Sequence, residues 1–238
     1  MIEIKNINKS YGNIHVLNDV SLSVPEGEIT AIVGPSGAGK TTLLQIAGSL
    51  ESADSGYVEY DGIVISSLKE KKLAKFRNEN IGFIFQFHEL LPEFTAQENV
   101  AIPAMIGGLS KRKALAKAEG LLGLLGLGDR LRHKPGELSG GERQRAAIAR
   151  ALVNDPKVIM ADEPTGSLDS HNREEIQKLI SSLCEERGHT FLMVTHDSSL
   201  ASIAHRIVSM RDGRIEHIEV NGKAEETPLE SRPIAQVE

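Results

Sequence analysis

The chain has 238 residues, enough for one good core or two small ones, and its 40% hydrophobic and 25% charged content excludes wholesale disorder. A net charge of −6 argues against nucleic acid as the main partner. Cys184 is the sole cysteine, so no intramolecular disulfide can form, which suits a reducing compartment.

The N-terminal MIEIKNINKSYG has neither an apolar h-region nor a small-residue cleavage site, so no secretory signal is expected. Alternation in IEIKNI and VLNDVSLSV predicts two half-buried strands, and ITAIVG predicts a buried one. A helix follows in TTLLQIAGSL. Turns at SADSG and YDG bracket a further strand, YVEY, so an antiparallel sheet accompanies the first half. NIGFIF is a short strand that leads into FQFHELLPEF, an apolar stretch with no regular period. From about residue 95 to 156 the pattern is helical: TAQENVAIPAMI, KRKALAKAEGLLGLLGL, then a helix starting near Ser139. LLGLLGLG is the longest membrane candidate and is far short of the roughly 20 apolar residues a spanning helix requires. Strand and helix then alternate through VIMAD, EEIQKLISSLCEE, FLMVTH and SLASIA, with a closing hairpin that turns at Asp212-Gly213. Ile176, Leu179, Ile180 and Leu183 share one helical face. The pattern is an α/β core interrupted by a helical insertion. Residues 221–238 are polar and proline-containing, and a flexible tail is expected there.

GPSGAGKTT fits G-x-x-x-x-G-K-[ST] and lies between a predicted strand and a helix, the context a phosphate loop needs. Gly34, Pro35, Ser36, Gly37, Ala38, Gly39 and Thr42 would line the phosphate, the glycine-rich loop through its backbone N–H groups; Lys40 would add a point charge, and Thr41 would ligate Mg²⁺. VIMADE supplies a carboxylate at a strand end: Asp162 for the metal and Glu163 to polarise an attacking water.

LSGGERQ is the most informative segment. Ser139 and Glu142 have capping-box spacing, yet Gly140 and Gly141 fill the first turn at up to about 1 kcal/mol each relative to alanine. Close approach of another surface explains such a start, and a helix N-terminus with bare N–H groups favours phosphate. The phosphate loop already has its own helix, so this second anion site would serve the nucleotide of another copy.

LSGGERQ beside the phosphate loop resembles the signature motif of ABC-type ATPases, and the family's motifs run in order over residues 1–220. The resemblance implies a P-loop NTPase (RecA-like) core with an N-terminal antiparallel β subdomain and an inserted α-helical subdomain, here at about 88–157. It implies ATP and Mg²⁺ as cofactors and an ATP sandwich between two copies. Tyr11 matches the aromatic that stacks on adenine, and Gln86 the glutamine that contacts Mg²⁺ and the attacking water. Asp169 matches the D-loop aspartate at the dimer interface, and His196 the histidine that contacts the γ-phosphate. The catalytic set implied is Glu163, His196 and Gln86. Ser139, Gly140, Gly141 and Glu142 would meet the partner's nucleotide. QFHELLPEFTAQENVAIPAMI resembles the corresponding region of lipoprotein-releasing ATPases, while DEPTGSLD and MRDGR are similar to the wider group with MacB-type efflux and FtsE-type cell-division ATPases. The implied setting is the cytoplasmic face of a bacterial inner membrane, peripheral, with separate permease subunits docking near Phe87–Phe94 and no nucleic acid bound. A soluble ABC ATPase acting on nucleic acid or ribosomes is the alternative of another class.

Overall fold

A computed structural model describes residues 1–220 and the backbone of Lys223–Glu225. Ten strands or helices in its first half build a platform and open the insertion: β1 Ile2–Tyr11, β2 Ile14–Val24, β3 Ile29–Val33, α1 Lys40–Ala47, β4 Ser55–Tyr60, β5 Ile63–Val64, α2 Glu70–Asn80, β6 Ile81–Ile84, α3 Ala96–Ile106 and α4 Lys111–Leu124. The second half contains α5 Gly140–Leu152, β7 Val158–Asp162, α6 Ser170–Arg187, β8 Thr190–Val194, α7 Ser198–Ala201, β9 Arg206–Arg211, β10 Arg214–Val220 and β11 Lys223–Glu225. Among the described residues no helix is long and apolar enough to cross a membrane.

Two sheets form among these strands. The order β2-β1-β4-β5 is antiparallel, and its alternating burial along β1 matches a sheet with one covered face. The larger sheet has the order β11-β10-β9-β3-β8-β7-β6, parallel from β9 to β6. Its central runs, ITAIV, TFLMV and VIMAD, are buried almost throughout, because both faces are covered. Ile32, Met160, Leu192 and Val194 join α1 and the antiparallel sheet in one core. Ala31, Ile159, Phe191 and Met193 face α5 and α6 in another. A third core holds the helical insertion together through Val100, Ala118, Leu122, Ala146 and Val153. The α/β fold with antiparallel subdomain and helical insertion is as the sequence implies.

Two elements differ from expectation. The sequence offered no helix at Glu70–Asn80, because that segment is strongly polar and buries no residue fully. It is held by tertiary contacts instead: Arg77 donates to Ser49 O at 2.6 Å, and Phe76 packs edge-on against Tyr60 at 5.3 Å. Within 221–238, expected as a flexible tail, Lys223–Glu225 pair antiparallel with β10, extending a hairpin ladder by one short strand. The rest of that tail lies outside the described residues.

Candidate functional site

The C-terminal ends of β3, β8, β7 and β6 lie side by side, and each delivers a predicted site residue to one edge of the sheet. From β3 comes the phosphate loop, from β8 His196, from β7 Asp162 and Glu163, and from β6 Gln86.

Gly34 and Gly39 are required by the protein's own backbone. Gly34 has φ 145°, and a Cβ there would stand 2.1 Å from Met210 O. Gly39 has φ 91° and faces Val16 O, which a Cβ would approach to 2.6 Å. Only Gly37, at φ 81°, has open space where its Cβ would be. Ala38 turns its methyl into the core, so only its backbone is available to a ligand, while Pro35, Ser36, Gly37 and Thr41 are exposed and Thr42 is half-buried. Gly39 is also the N-cap of α1, and no side chain caps that helix. Lys40 Nζ donates to Gly34 O at 2.9 Å and Pro35 O at 2.8 Å, folded back over its own loop.

Thr41 Oγ1 donates to Asp162 Oδ1 at 3.2 Å. Burial holds the Asp162 carboxyl above the usual carboxylate range, with the Glu163 charge adding to the effect. A hydroxyl and a carboxylate in contact are a hard-oxygen pair of the kind Mg²⁺ takes alongside substrate phosphates, and a cation there offsets the cost of burying Asp162 charged. The residues therefore fit the metal.

Glu163 sits in the left-handed region at φ 48° and turns its carboxylate toward the end of β8. Glu163 Oε1 lies 2.8 Å from His196 Nδ1, and Oε2 accepts from Thr195 Oγ1 and His196 N–H, each at 3.3 Å. Gln86 lies against the D-loop, where Ser167 Oγ donates to its carbonyl at 3.3 Å. Tyr11 ends β1 in the antiparallel sheet, half-exposed, with Lys9 Nζ 5.1 Å from its ring centroid.

The signature segment begins with the capping box its spacing implies. Ser139 Oγ accepts from Glu142 N–H at 3.2 Å, and Glu142 Oε2 accepts from Ser139 N–H at 2.8 Å, a complete capping box. Glu142 Oε1 also pairs with Arg130 at 2.8 Å. The Ser139 N–H bond and Arg130 lower the Glu142 carboxyl to about 2. Of the first-turn amides, that of Glu142 is closed by Ser139 Oγ. Gly141 is buried against its own chain: a Cβ would lie 1.8 Å from Asn172 Oδ1. Only Gly140 leaves space, its nearest neighbour being Leu168 Cδ2 at 3.7 Å. Asn172 in turn donates to Asp169 through N–H at 3.0 Å and Nδ2 at 2.7 Å, so Asp169 caps α6. These bonds hold the Asp169 carboxyl below its ordinary value.

FQFHELLPEF divides into two kinds of residue. His88 is buried and Leu90 packs on the helical core, whereas Phe87 is 74% exposed and Leu91 and Phe94 are exposed as well. His88 and Glu89 take left-handed backbone conformations, and the Arg150 guanidinium donates to both their carbonyls. Asn99 closes the other end, accepting from Leu91 N–H and donating to Leu91 O and Phe94 O. Beside this loop a groove of about 490 Å³ runs between the sheet edge and the helical insertion, lined by Phe85, Ala74, Asn78, Pro103 and the largely exposed Ile106.

Sequence reasoning missed Thr195, Asn172, Arg130 and Arg150, which act through tertiary contacts. Asn172 alone left a trace, three residues after a capping aspartate.

With β8 interposed between the phosphate-loop strand and the acidic strand, and a helical arm carrying a capped glycine pair, the molecule is a P-loop NTPase of the ATP-binding cassette class. The model of the ABC transporter family matches residues 17–166, and the chain belongs to that family, as an ATPase. It is 57% identical over 215 residues to the lipoprotein-releasing system ATP-binding protein LolD of Bacteroides thetaiotaomicron, covering 90% of this chain and 99% of that one. LolD of Porphyromonas gingivalis is 58% identical, over 90% of this chain and 97% of that relative. Among solved structures, the dimeric post-hydrolysis ATP-binding cassette MJ0796 bound to ADP and Pi superimposes with a TM-score of 0.86 at 41% identity, covering 93% of this chain and 99% of that one.

Proposed function

We propose that two copies of the chain close head to tail on two ATP molecules, reopen after hydrolysis, and thereby power an inner-membrane transporter that releases lipoproteins toward the outer membrane. The observation that carries the ATPase part is the convergence of Lys40, Thr41, Gln86, Asp162, Glu163 and His196 on four adjacent strand ends. In this reading the phosphate loop 34–39 and Thr42 cradle the phosphates, and Lys40 exchanges its two loop carbonyls for β- and γ-phosphate oxygens. Thr41 and Asp162, with Gln86, hold Mg²⁺. Bound Mg²⁺ supplies neutralisation of charge on the phosphates. Glu163 orients and polarises the attacking water, and His196 lies between Glu163 and the γ-phosphate. Tyr11 stacks on adenine. Ser139 and Gly140 reach the partner's nucleotide through the backbone and the hydroxyl, and Asp169 lies at the interface between copies.

Support for the transport part comes from the LolD relatives, matched over nearly their whole length. The groove and the exposed Phe87, Leu91 and Phe94 beside it suit an apolar segment of a separate permease subunit. In this reading the ATPase sits peripherally on the cytoplasmic face of the inner membrane. Affinity purification from membranes tests this directly. Recovery of lipoprotein-releasing membrane subunits is expected; efflux or cell-division subunits would overturn the substrate while leaving the ATPase. Leu91→Asp and Phe94→Asp should spare ATP binding by the isolated chain and weaken that recovery. Glu163→Gln should bind ATP, dimerise on it and turn it over poorly; normal turnover refutes the role given to Glu163.

A further inference from the structure

One arginine outside this set touches both ends of the machinery. Arg173, on the first turn of α6, donates from Nη2 to Leu168 O at 3.2 Å, the carbonyl just before Asp169. Its Nε lies 3.3 Å from Asp197 Oδ2, an ion pair between two buried atoms that lack the alignment of a good hydrogen bond. Asp197 directly follows His196. Its other carboxylate oxygen accepts from Ser199 N–H at 2.9 Å and Ser199 Oγ at 2.7 Å, capping α7. Its N–H donates at 3.0 Å to Thr195 Oγ1, the fully buried hydroxyl that donates to Glu163. An unbroken chain of contacts therefore runs from the D-loop carbonyl through Arg173, Asp197 and Thr195 to Glu163 and His196.

From these contacts we infer that Arg173 is a positioning residue, tying the D-loop to the turn that carries His196, so that engagement of the D-loop by a second copy sets the geometry of Glu163 and His196. The inference rests on the two-copy reading above. Chemistry favours arginine here. A planar guanidinium can serve a carbonyl and a carboxylate at once, whereas a lysine ammonium on one stem reaches one of them well. Asp197 needs a charged partner as well, because a buried carboxylate left alone is costly. A misplacement on the order of 1 Å at a reacting centre costs up to about 10²-fold in rate, so a strut that holds Glu163 and His196 can control turnover without touching nucleotide.

The test is steady-state ATP hydrolysis and nucleotide binding by the full chain carrying Arg173→Met, Arg173→Lys, Asp197→Asn and the Arg173→Met/Asp197→Asn pair. Arg173→Met should lower kcat about tenfold and take the Hill coefficient for ATP toward 1, with the affinity of the monomer for ATP unchanged. Arg173→Lys should fall between it and the unchanged chain. The paired variant should lose no more than Arg173→Met alone, since both substitutions cut one connection. Losses that multiply, or an unchanged Hill coefficient in Arg173→Met, overturn the inference. Should Arg173→Met fail to fold, Arg173→Lys and Asp197→Asn carry the same comparison, and full cooperativity in both is the contrary result. Arg173→Met in a Glu163→Gln background should still dimerise on ATP. Loss of that dimer only when Arg173 is changed makes Arg173 an interface residue and overturns its positioning role. Absence of an ATP dimer in Glu163→Gln alone sinks the two-copy reading instead.

Discussion

The helices that begin at Lys40 and Gly140 both follow glycine-rich segments, yet their first turns are finished differently. At α1 the N-cap is Gly39 in a left-handed conformation, with no side-chain cap and no acidic residue in the first turn. At α5 Ser139 and Glu142 cap each other, and Arg130 adds its charge to Glu142. The first start is left for an incoming anion to complete; the second is completed by the chain before any partner arrives. Three of the five glycines in the two segments answer to the protein itself. Gly34 and Gly39 yield to Met210 and Val16 carbonyls and Gly141 yields to Asn172, whereas Gly37 faces open space and Gly140 would meet only Leu168 at ordinary contact distance. A glycine in such a motif is therefore not by itself a sign that a ligand takes the place of its missing Cβ.

The largest effect that would break this comparison is at Gly34. Gly34→Ala combines an unfavourable φ with a backbone clash, and should cost about 3 kcal/mol in urea unfolding and abolish ATP binding. Gly141→Ala should destabilise the isolated chain by about 2 kcal/mol without any partner or nucleotide, and Asn172→Ala should recover part of it. A Gly141→Ala chain as stable as the parent would return Gly141 to the ligand. At Gly140 the sign reverses. Gly140→Ala should raise stability by up to about 1 kcal/mol, because alanine favours the helix, while ATP-driven dimerisation is lost to the added methyl. Ser139→Ala should cost about 1 kcal/mol through the cap alone, whereas no α1 variant can lose a cap that α1 lacks. The smallest effect is in pH. Glu142 is depressed to about 2, so its pairing contributes fully above the unfolded value of about 4.3 and is lost as pH falls toward 2. Glu142→Gln keeps the capping box and removes the charge, so the stability gap to the parent should close across that window and narrow in high salt.

The contrast also marks how far the sequence could be read. Strand runs such as ITAIV and VIMAD, the phosphate loop and the capping box were legible because each is a local pattern with a local cause. Glu70–Asn80 was not, because its apolar contacts, Leu73 and Phe76, are few and its hold on Ser49 is tertiary. A glycine in a sequence announces only a missing Cβ. Whether that space belongs to Asn172 of the same chain or to a ligand depends on a residue 31 positions away. Glu163 follows Asp162 in the sequence, but its left-handed backbone and its grip on Thr195 come from β7 and β8 lying side by side. Likewise nothing local separates buried His88 from exposed Phe87.

The Arg150 clamp has a consequence of its own. Arg150 holds the carbonyls of His88 and Glu89, the two left-handed residues of the proposed docking loop, and stands near the far end of the helix that starts at Ser139. Eleven residues of α-helix make a rod of about 16 Å. In the proposed two-copy assembly, a permease segment that pulled on the loop would turn a lever whose other tip faces not this chain's own ATP but its partner's: the wiring would be crossed, and each membrane contact would speak first to the opposite nucleotide.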